Sequence, residues 1–168
     1  MFMSSLVNVK NIPEFRNAHL ISPNKCVNSF DLRASAIIYI KTDANYKYLM
    51  VFNNVANKYK HPGGHVYVNE SLVDALKREL QEEIGLEIDV TRIDISRVIF
   101  DAVLKSDKNL MINALFPIEL TQKQVLAILK ESPLPTKLFT LKELNLQNTW
   151  QSEINAINAI KHDQVIRL

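Results

Sequence analysis

The chain has only three glycines in 168 residues, and all three bracket one short segment: Gly63 and Gly64 stand before it and Gly85 closes it. Glycine serves a backbone that must take positive φ or approach a neighbour closely. Rationing it this way marks a shaped loop at one end of the segment and a sharp stop at the other. Between them Ser71 to Ile84 reads as a helix. Ser71 and Asp74 make a capping-box-like start, with the hydroxyl satisfying an orphan amide and the acid reaching back. Leu72, Val73, Ala75, Leu76, Leu80 and Ile84 form one apolar face, and Gly85 supplies the left-handed residue that ends the last turn.

On this helix Glu79, Glu82 and Glu83 follow the i, i+3, i+4 spacing and project from one arc of roughly 100°. Like charges so placed destabilise a helix by a few tenths of a kcal/mol per pair. Arg78 reaches Glu82 at i+4, but one guanidinium does not neutralise three acids. A hard divalent cation with oxygen ligands does, and magnesium takes one or two carboxylates together with substrate phosphates. A solvated face is the commoner meaning of acids on a surface helix; the bracketing glycines turn the reading towards a ligand site. The wider charge pattern agrees. Glu70 to Asp89 holds seven acids against Lys77 and Arg78, a net of −5, which leaves the rest of the chain at +7 within a total of +2.

The remainder reads as one ordinary globular domain. Its 168 residues suffice to bury roughly 70% of the unfolded surface, and 47% hydrophobic with 23% charged residues argues against disorder. Cys26 is the lone cysteine, which excludes an internal disulfide and a cysteine-based zinc site. Residues 1–15 lack a signal-peptide pattern and no apolar run is long enough for a bilayer, so a soluble, unprocessed, cytoplasmic protein is expected. A net charge of +2 gives no case for membrane or stable nucleic-acid binding. Residues 1–32 read as an N-terminal extension or first hairpin, and 33–168 as the domain proper.

Ala34 to Ile40 and Tyr46 to Phe52 predict two strands joined by a turn at 41–45. Further strands are expected within 92–104, within 109–120 and at 138–141. His61 to Gly64 reads as a loop. Helical spacing returns at 122–129 and near the end, where Trp150, Ile154, Ile157 and Ile160 share a core-facing side. Mixed strands and helices without strict alternation predict an α/β (α+β) sandwich on a mixed β-sheet.

The segment from Gly64 to Leu86, with Glu70, Arg78, Glu79, Glu82, Glu83 and Gly85 at their places, resembles the Nudix box: glycine, five residues, glutamate, seven residues, then R-E-apolar-x-E-E-x-G-apolar. Every specified position matches, by chance an event on the order of one in a million at average residue usage. A looser likeness runs from Arg33 to about Leu144. The resemblance implies an α/β/α sandwich and a hydrolase that cuts a pyrophosphate bond in a nucleoside diphosphate derivative. It implies Glu82 and Glu83 as principal ligands of Mg2+ (or Mn2+), Glu79 as a further ligand or the base, Arg78 as the residue orienting a glutamate, and a Gly63 carbonyl that reaches the metal.

There are departures. Asn69 stands where the family commonly has glycine, and asparagine tolerates left-handed φ best after glycine. The arginine that many members carry near the end of the second strand is absent from Phe52-Asn53-Asn54, leaving Lys58 and Lys60 as candidate phosphate contacts, with His65 beside them. His61 reads as a loop histidine without a role. Glu119 and Glu131 are the weak candidates for a later acidic ligand, and Lys137 stands where some members place an acid.

A nucleotide is thus the expected substrate, of a monomer or homodimer. Gly64-His65-Val66 is shared with triphosphate-directed members, which favours a nucleoside triphosphate cut to monophosphate and pyrophosphate. Hydrolysis of ADP-ribose or dinucleoside polyphosphates is the alternative within the class. A non-catalytic nucleotide-sensing module is the alternative outside it, weakened because all box carboxylates are present.

Overall fold

The structure is a computed structural model, and it describes residues 15–16, 29–106 and 109–168. Its central sheet runs β1 (Phe15–Arg16), β6 (Ile99–Ser106), β7 (Asn109–Glu119), β2 (Ser29–Lys41), β3 (Tyr46–Asn53), β4 (Lys58–Lys60). Three short strands attach to it: β5 (Gly63–His65) on β2, β8 (Thr136–Phe139) on β3 and β9 (Ile166–Arg167) on β7. The sheet is mixed, since β2 runs parallel to β7 from Ser29↔Asn109 to Tyr39↔Glu119 and antiparallel to β3 and β5.

Side chains alternate across β2, so its two faces build two cores. Ala34, Ala36, Ile38 and Ile40 pack with Leu76, Leu80 and Ile84 of α1 (Leu72–Ile84) and with Val125 and Ile128 of α2 (Gln122–Glu131). Ile37 and Tyr39 face the other way, onto Ala156, Ile157 and Ile160 at α3 (Gln151–Ala159). Helices on both faces of a mixed sheet make the α/β/α sandwich that the sequence leads one to expect. Each fully buried leucine or isoleucine of these layers contributes about 1.5–3 kcal/mol. Among the described residues no helix is long and apolar enough to cross a membrane.

Several boundaries differ from the sequence reading, for local reasons. The strand expected at Ala34 begins at Ser29, because β7 offers its edge five residues further back. Of the segment read as an extension or first hairpin, only Phe15–Arg16, parallel to β6, and the start of β2 are described; the rest lies outside the described residues. The strand expected within 92–104 runs from Ile99 to Ser106. Before it, Asp89 and Asp94 each accept from the amide two residues on, of Thr91 and Ser96, and these caps turn 90–92 and 95–97 into 3₁₀ turns. The strand expected at 138–141 is shifted to Thr136–Phe139, since Thr140 and Glu143 form a capping box for the next turn.

The β2 edge positions the site. β3 occupies it from Ile38 to Lys41, and β5 takes it over at Arg33↔His65, Ala34↔Gly64 and Ser35↔Gly63. The segment expected as a loop is therefore a strand at its glycines. An added Cβ on Gly63 (φ 144°) would overlap the Ala34 carbonyl and Ser35, so only glycine lets the chain lie this close.

Candidate active site

Helix α1 starts as its sequence dictates: the Asp74 amide donates to Ser71 Oγ at 3.1 Å. The acid reaches back to the hydroxyl, which donates to Asp74 Oδ2 at 2.6 Å, and not to the Ser71 amide as a full capping box would require. Asn69 takes φ 67° and keeps the turn that a glycine would otherwise make. Gly85, also at φ 67°, closes the helix with its amide on Gln81 and Leu80 carbonyls.

The glutamates meet two cations of the protein. Arg78 is the first. Its Nε and Nη2 hold both oxygens of Glu70 at 2.9 and 3.0 Å, its Nη1 donates to Glu79 at 2.7 Å, and Nη2 also donates to the His65 carbonyl at 2.8 Å. Tyr67 lies against the guanidinium, 4.1 Å from ring centroid to Cζ. The hydrogen bond from Arg78 holds the Glu70 carboxyl below its usual range, and that same bond pushes the guanidinium further up. Arg78 reaches Glu82 only at 3.5 Å, and Glu82 stays 58% exposed while Glu79 is 12% exposed. Glu79 lies over Gly64, where any Cβ would overlap its carboxylate.

Lys60 is the second cation. Its ammonium donates to the Gly63 carbonyl at 2.6 Å and to Glu83 Oε1 at 2.7 Å, while the Gly63 amide donates to Glu83 Oε2 at 2.8 Å. The expectation of three carboxylates crowded together without sufficient counter-charge is thereby corrected: Glu79 turns to Arg78, Glu83 to Lys60, and Glu82 to solvent.

The other candidates are more scattered. His65 is 59% exposed and pairs with Asp31 across the strand start, so its contribution to the array is its backbone carbonyl. Lys58 donates to the Leu146 carbonyl at 2.8 Å and lies 5.7 Å from the Trp150 ring, without a bond to the box glutamates. Glu119 accepts from Arg167, Glu131 lines a groove beside Gly85, and Lys137 lies over Phe139. None of the three bonds to the box residues in the described structure.

His61 is not a loop histidine without a place. It is buried, its amide donates to Glu153 Oε2 at 2.8 Å and its Nε2 meets the Glu153 carbonyl at 3.3 Å, so it ties the glycine strand to α3. Burial holds its pKa below the usual histidine range.

A cavity of about 310 Å3 opens beside Lys60, lined among others by Arg33, Asp101, Asn113, Trp150 and Glu153. Sequence reasoning missed this set. Its members come from β2, β6, β7 and α3, and the only early signal was the charged Arg33 and Asp101 inside otherwise apolar strands. Another cavity, of about 380 Å3, between Arg97 and Lys161 is lined by none of the box residues and has no carboxylate array to serve.

Among the described residues no three acidic, histidine or cysteine side chains converge closely enough to enclose a metal ion by themselves. The donors nevertheless fit a hard divalent cation. The Gly63 carbonyl and Glu83 already converge on one cationic atom, the Lys60 nitrogen, and the exposed Glu82 is free to turn. All are oxygen ligands, and magnesium completes its shell with water and phosphate.

Comparison with known proteins agrees with this geometry. A family model described as NUDIX domain matches residues 31–157. None of the curated proteins matches the chain in sequence. Among solved structures, the Ap4A hydrolase of C. elegans in a binary complex is similar with a TM-score of 0.55 at 15% identity, over 77% of this chain and 93% of that one. A MutT NUDIX hydrolase from Burkholderia pseudomallei is similar with a TM-score of 0.55 at 16% identity, over 79% and 98%. A NUDIX hydrolase from Nitrosomonas europaea gives 0.52 at 17%, over 77% and 86%. At such identities the likeness shows the fold.

Proposed function

The chain belongs to the Nudix family, and from that premise we propose that it is a magnesium-dependent pyrophosphohydrolase that cuts a nucleoside triphosphate to the monophosphate and pyrophosphate. The observation that carries the reading is the convergence of the Gly63 carbonyl and Glu83 on one cationic position at the side of a cavity that Lys60 also lines. At about 310 Å3 that cavity lies at the lower end of ligand-site volumes, ~300–1,000 Å3, and has room for one nucleoside moiety. A substrate with a single nucleoside fits it better than one with two.

Gly63, Glu79, Glu82 and Glu83 would supply the oxygen donors for Mg2+, or for Mn2+ in its place, and a cation held there would supply neutralisation of phosphate charge and a lowered pKa for the attacking water. Glu79 accepts the proton of that water. Arg78 holds the Glu79 carboxylate from one side and Gly64 leaves it room from the other, so its position is set before substrate arrives. Glu70 in turn fixes Arg78 through two parallel bonds, the geometry that suits guanidinium and carboxylate. Lys58 and His65, which bond to none of the box glutamates, are left for the outer phosphates. Arg33 lines the cavity and its buried Nε has no hydrogen-bond partner in the protein, so its guanidinium is the side chain offered to the nucleoside.

The test is a panel of nucleoside triphosphates, ADP-ribose and diadenosine polyphosphates with magnesium, the products identified by phosphorus NMR. Triphosphates should give monophosphate and pyrophosphate with the highest kcat/KM. A higher kcat/KM for a dinucleoside polyphosphate or ADP-ribose would overturn the substrate class, and absence of turnover across the panel would favour a sensing module.

A further inference from the structure

Lys60 holds a place that its residue type does not suit if its task were to bind substrate alone. Its ammonium spends two of three donors on the Gly63 carbonyl and Glu83, at 2.6 and 2.7 Å. The Gly63 amide closes the ring on the other Glu83 oxygen. Both side chains are largely shielded, 15% exposed for Lys60 and 13% for Glu83. The lysine backbone is pinned as well, because Lys60 pairs with Val51 in the β3–β4 ladder and the next residue is bound to Glu153. A cation tethered here cannot diffuse away as a metal ion can.

We propose that Lys60 is a built-in counter-cation that holds the Gly63–Glu83 oxygens, so that the free protein carries one divalent-ion position fewer than its donor set would otherwise offer. The inference rests on the metal-hydrolase reading of this site. Two cations at the same pair of oxygens repel each other, and partial burial weakens the screening that would relieve them. In the free protein a divalent ion therefore first meets the oxygens Lys60 leaves open, those of Glu82 and Glu79, and the Gly63 and Glu83 oxygens join them only when the substrate's phosphates draw the Lys60 ammonium away. Free enzyme should take up metal weakly, and metal should arrive chiefly with the nucleotide.

Binding of Mn2+ to the nucleotide-free protein, followed by calorimetry and by the loss of the free-ion paramagnetic resonance signal, tests this directly. Lys60→Met and Lys60→Gln should each bind Mn2+ at least about tenfold more tightly than the parent, the effect of removing one adjacent positive charge. Each should gain one site, and Lys60→Arg should return binding to the weak parental level. Adding Glu83→Gln to Lys60→Met should abolish the gained site. Thermal melts in the same buffers show that each variant is folded. If both neutral variants are folded and bind Mn2+ with parental affinity and stoichiometry, Lys60 does not hold the position and the inference is overturned. The outcome is separable from the hydrolase reading: a gained site in a protein that cleaves no nucleotide overturns only that reading, and unchanged binding in an active enzyme overturns only the inference.

Discussion

The two faces of the central sheet treat their polar groups in opposite ways. On the α1 side the buried layer is apolar among the described residues, and charge gathers at one end, where Glu70 and Glu79 are bonded to Arg78 and Glu83 to Lys60. On the α3 side polar groups are embedded in the layer itself. Among the described residues three buried side-chain atoms have no hydrogen-bond partner, Arg33 Nε, Tyr39 Oη and His61 Nδ1, and all belong to that side. There Tyr39, Tyr46 and Tyr48 gather around His162, which stacks on Tyr46 at 3.8 Å and bonds the Tyr48 hydroxyl at 3.0 Å. On one side Glu70, Glu79 and Glu83 are bonded to cations of the protein and Glu82 is left to solvent; the other keeps hydrogen-bonding capacity in reserve. That is the division expected of a preorganised reacting centre and a recognition cavity that a ligand completes.

The sharpest way to separate the two sides is Glu82→Gln. Glu82 is exposed and makes only a 3.5 Å contact to Arg78, so the fold loses almost nothing. The change removes charge where the phosphate-bearing complex needs it, and kcat should fall by about three orders of magnitude or more. Near-normal turnover combined with a melt far below the parent would make the glutamates structural and erase the contrast.

Arg33→Gln probes the other side and should act on binding. Loss of a guanidinium whose buried Nε finds no hydrogen-bond partner in the protein should raise KM by about tenfold with kcat close to parental. An unchanged KM with a collapsed kcat would move Arg33 from recognition into the chemistry.

How much of each side can be read from the chain follows from how each is assembled. The α1 end is contiguous: Ser71 caps, Asn69 and Gly85 take φ 67°, and Glu79, Glu82 and Glu83 share one face, all decided within 17 residues. Local propensity and spacing therefore suffice. The pairing of Lys60 with Glu83 bridges 23 residues and that of His61 with Glu153 bridges 92, so neither is visible until β5 docks on β2. Lys60 reads as a phosphate contact from its sign alone; in the fold two of its three donors go to a nearby carboxylate and carbonyl, a pairing the sequence does not show. The start of β2 at Ser29 was hidden for the same reason, since Asp31 and Arg33 do not read as strand until β7 supplies the ladder.

The smallest effect concerns pH. Burial lowers the folded-state pKa of His61 below the ordinary histidine value, so on acidification the unfolded chain takes up its proton first. The corresponding stability is intact above about pH 6.5 and is lost as pH falls below it. His61→Leu should flatten the drop in melting temperature between about pH 7 and 5 by a few degrees, since 1 kcal/mol is worth about 2–4 °C at this size. A parallel acid slope in parent and variant would show that His61 does not carry this dependence.

The central claim, that the α1 end is a metal-dependent hydrolytic centre, is tested most directly by removing and restoring the metal. Protein stripped with excess chelator should show no cleavage of nucleoside triphosphates, magnesium or manganese should restore it, and calcium should restore little because it does not hold tight octahedral geometry. Full triphosphate cleavage in the presence of excess chelator would contradict the account.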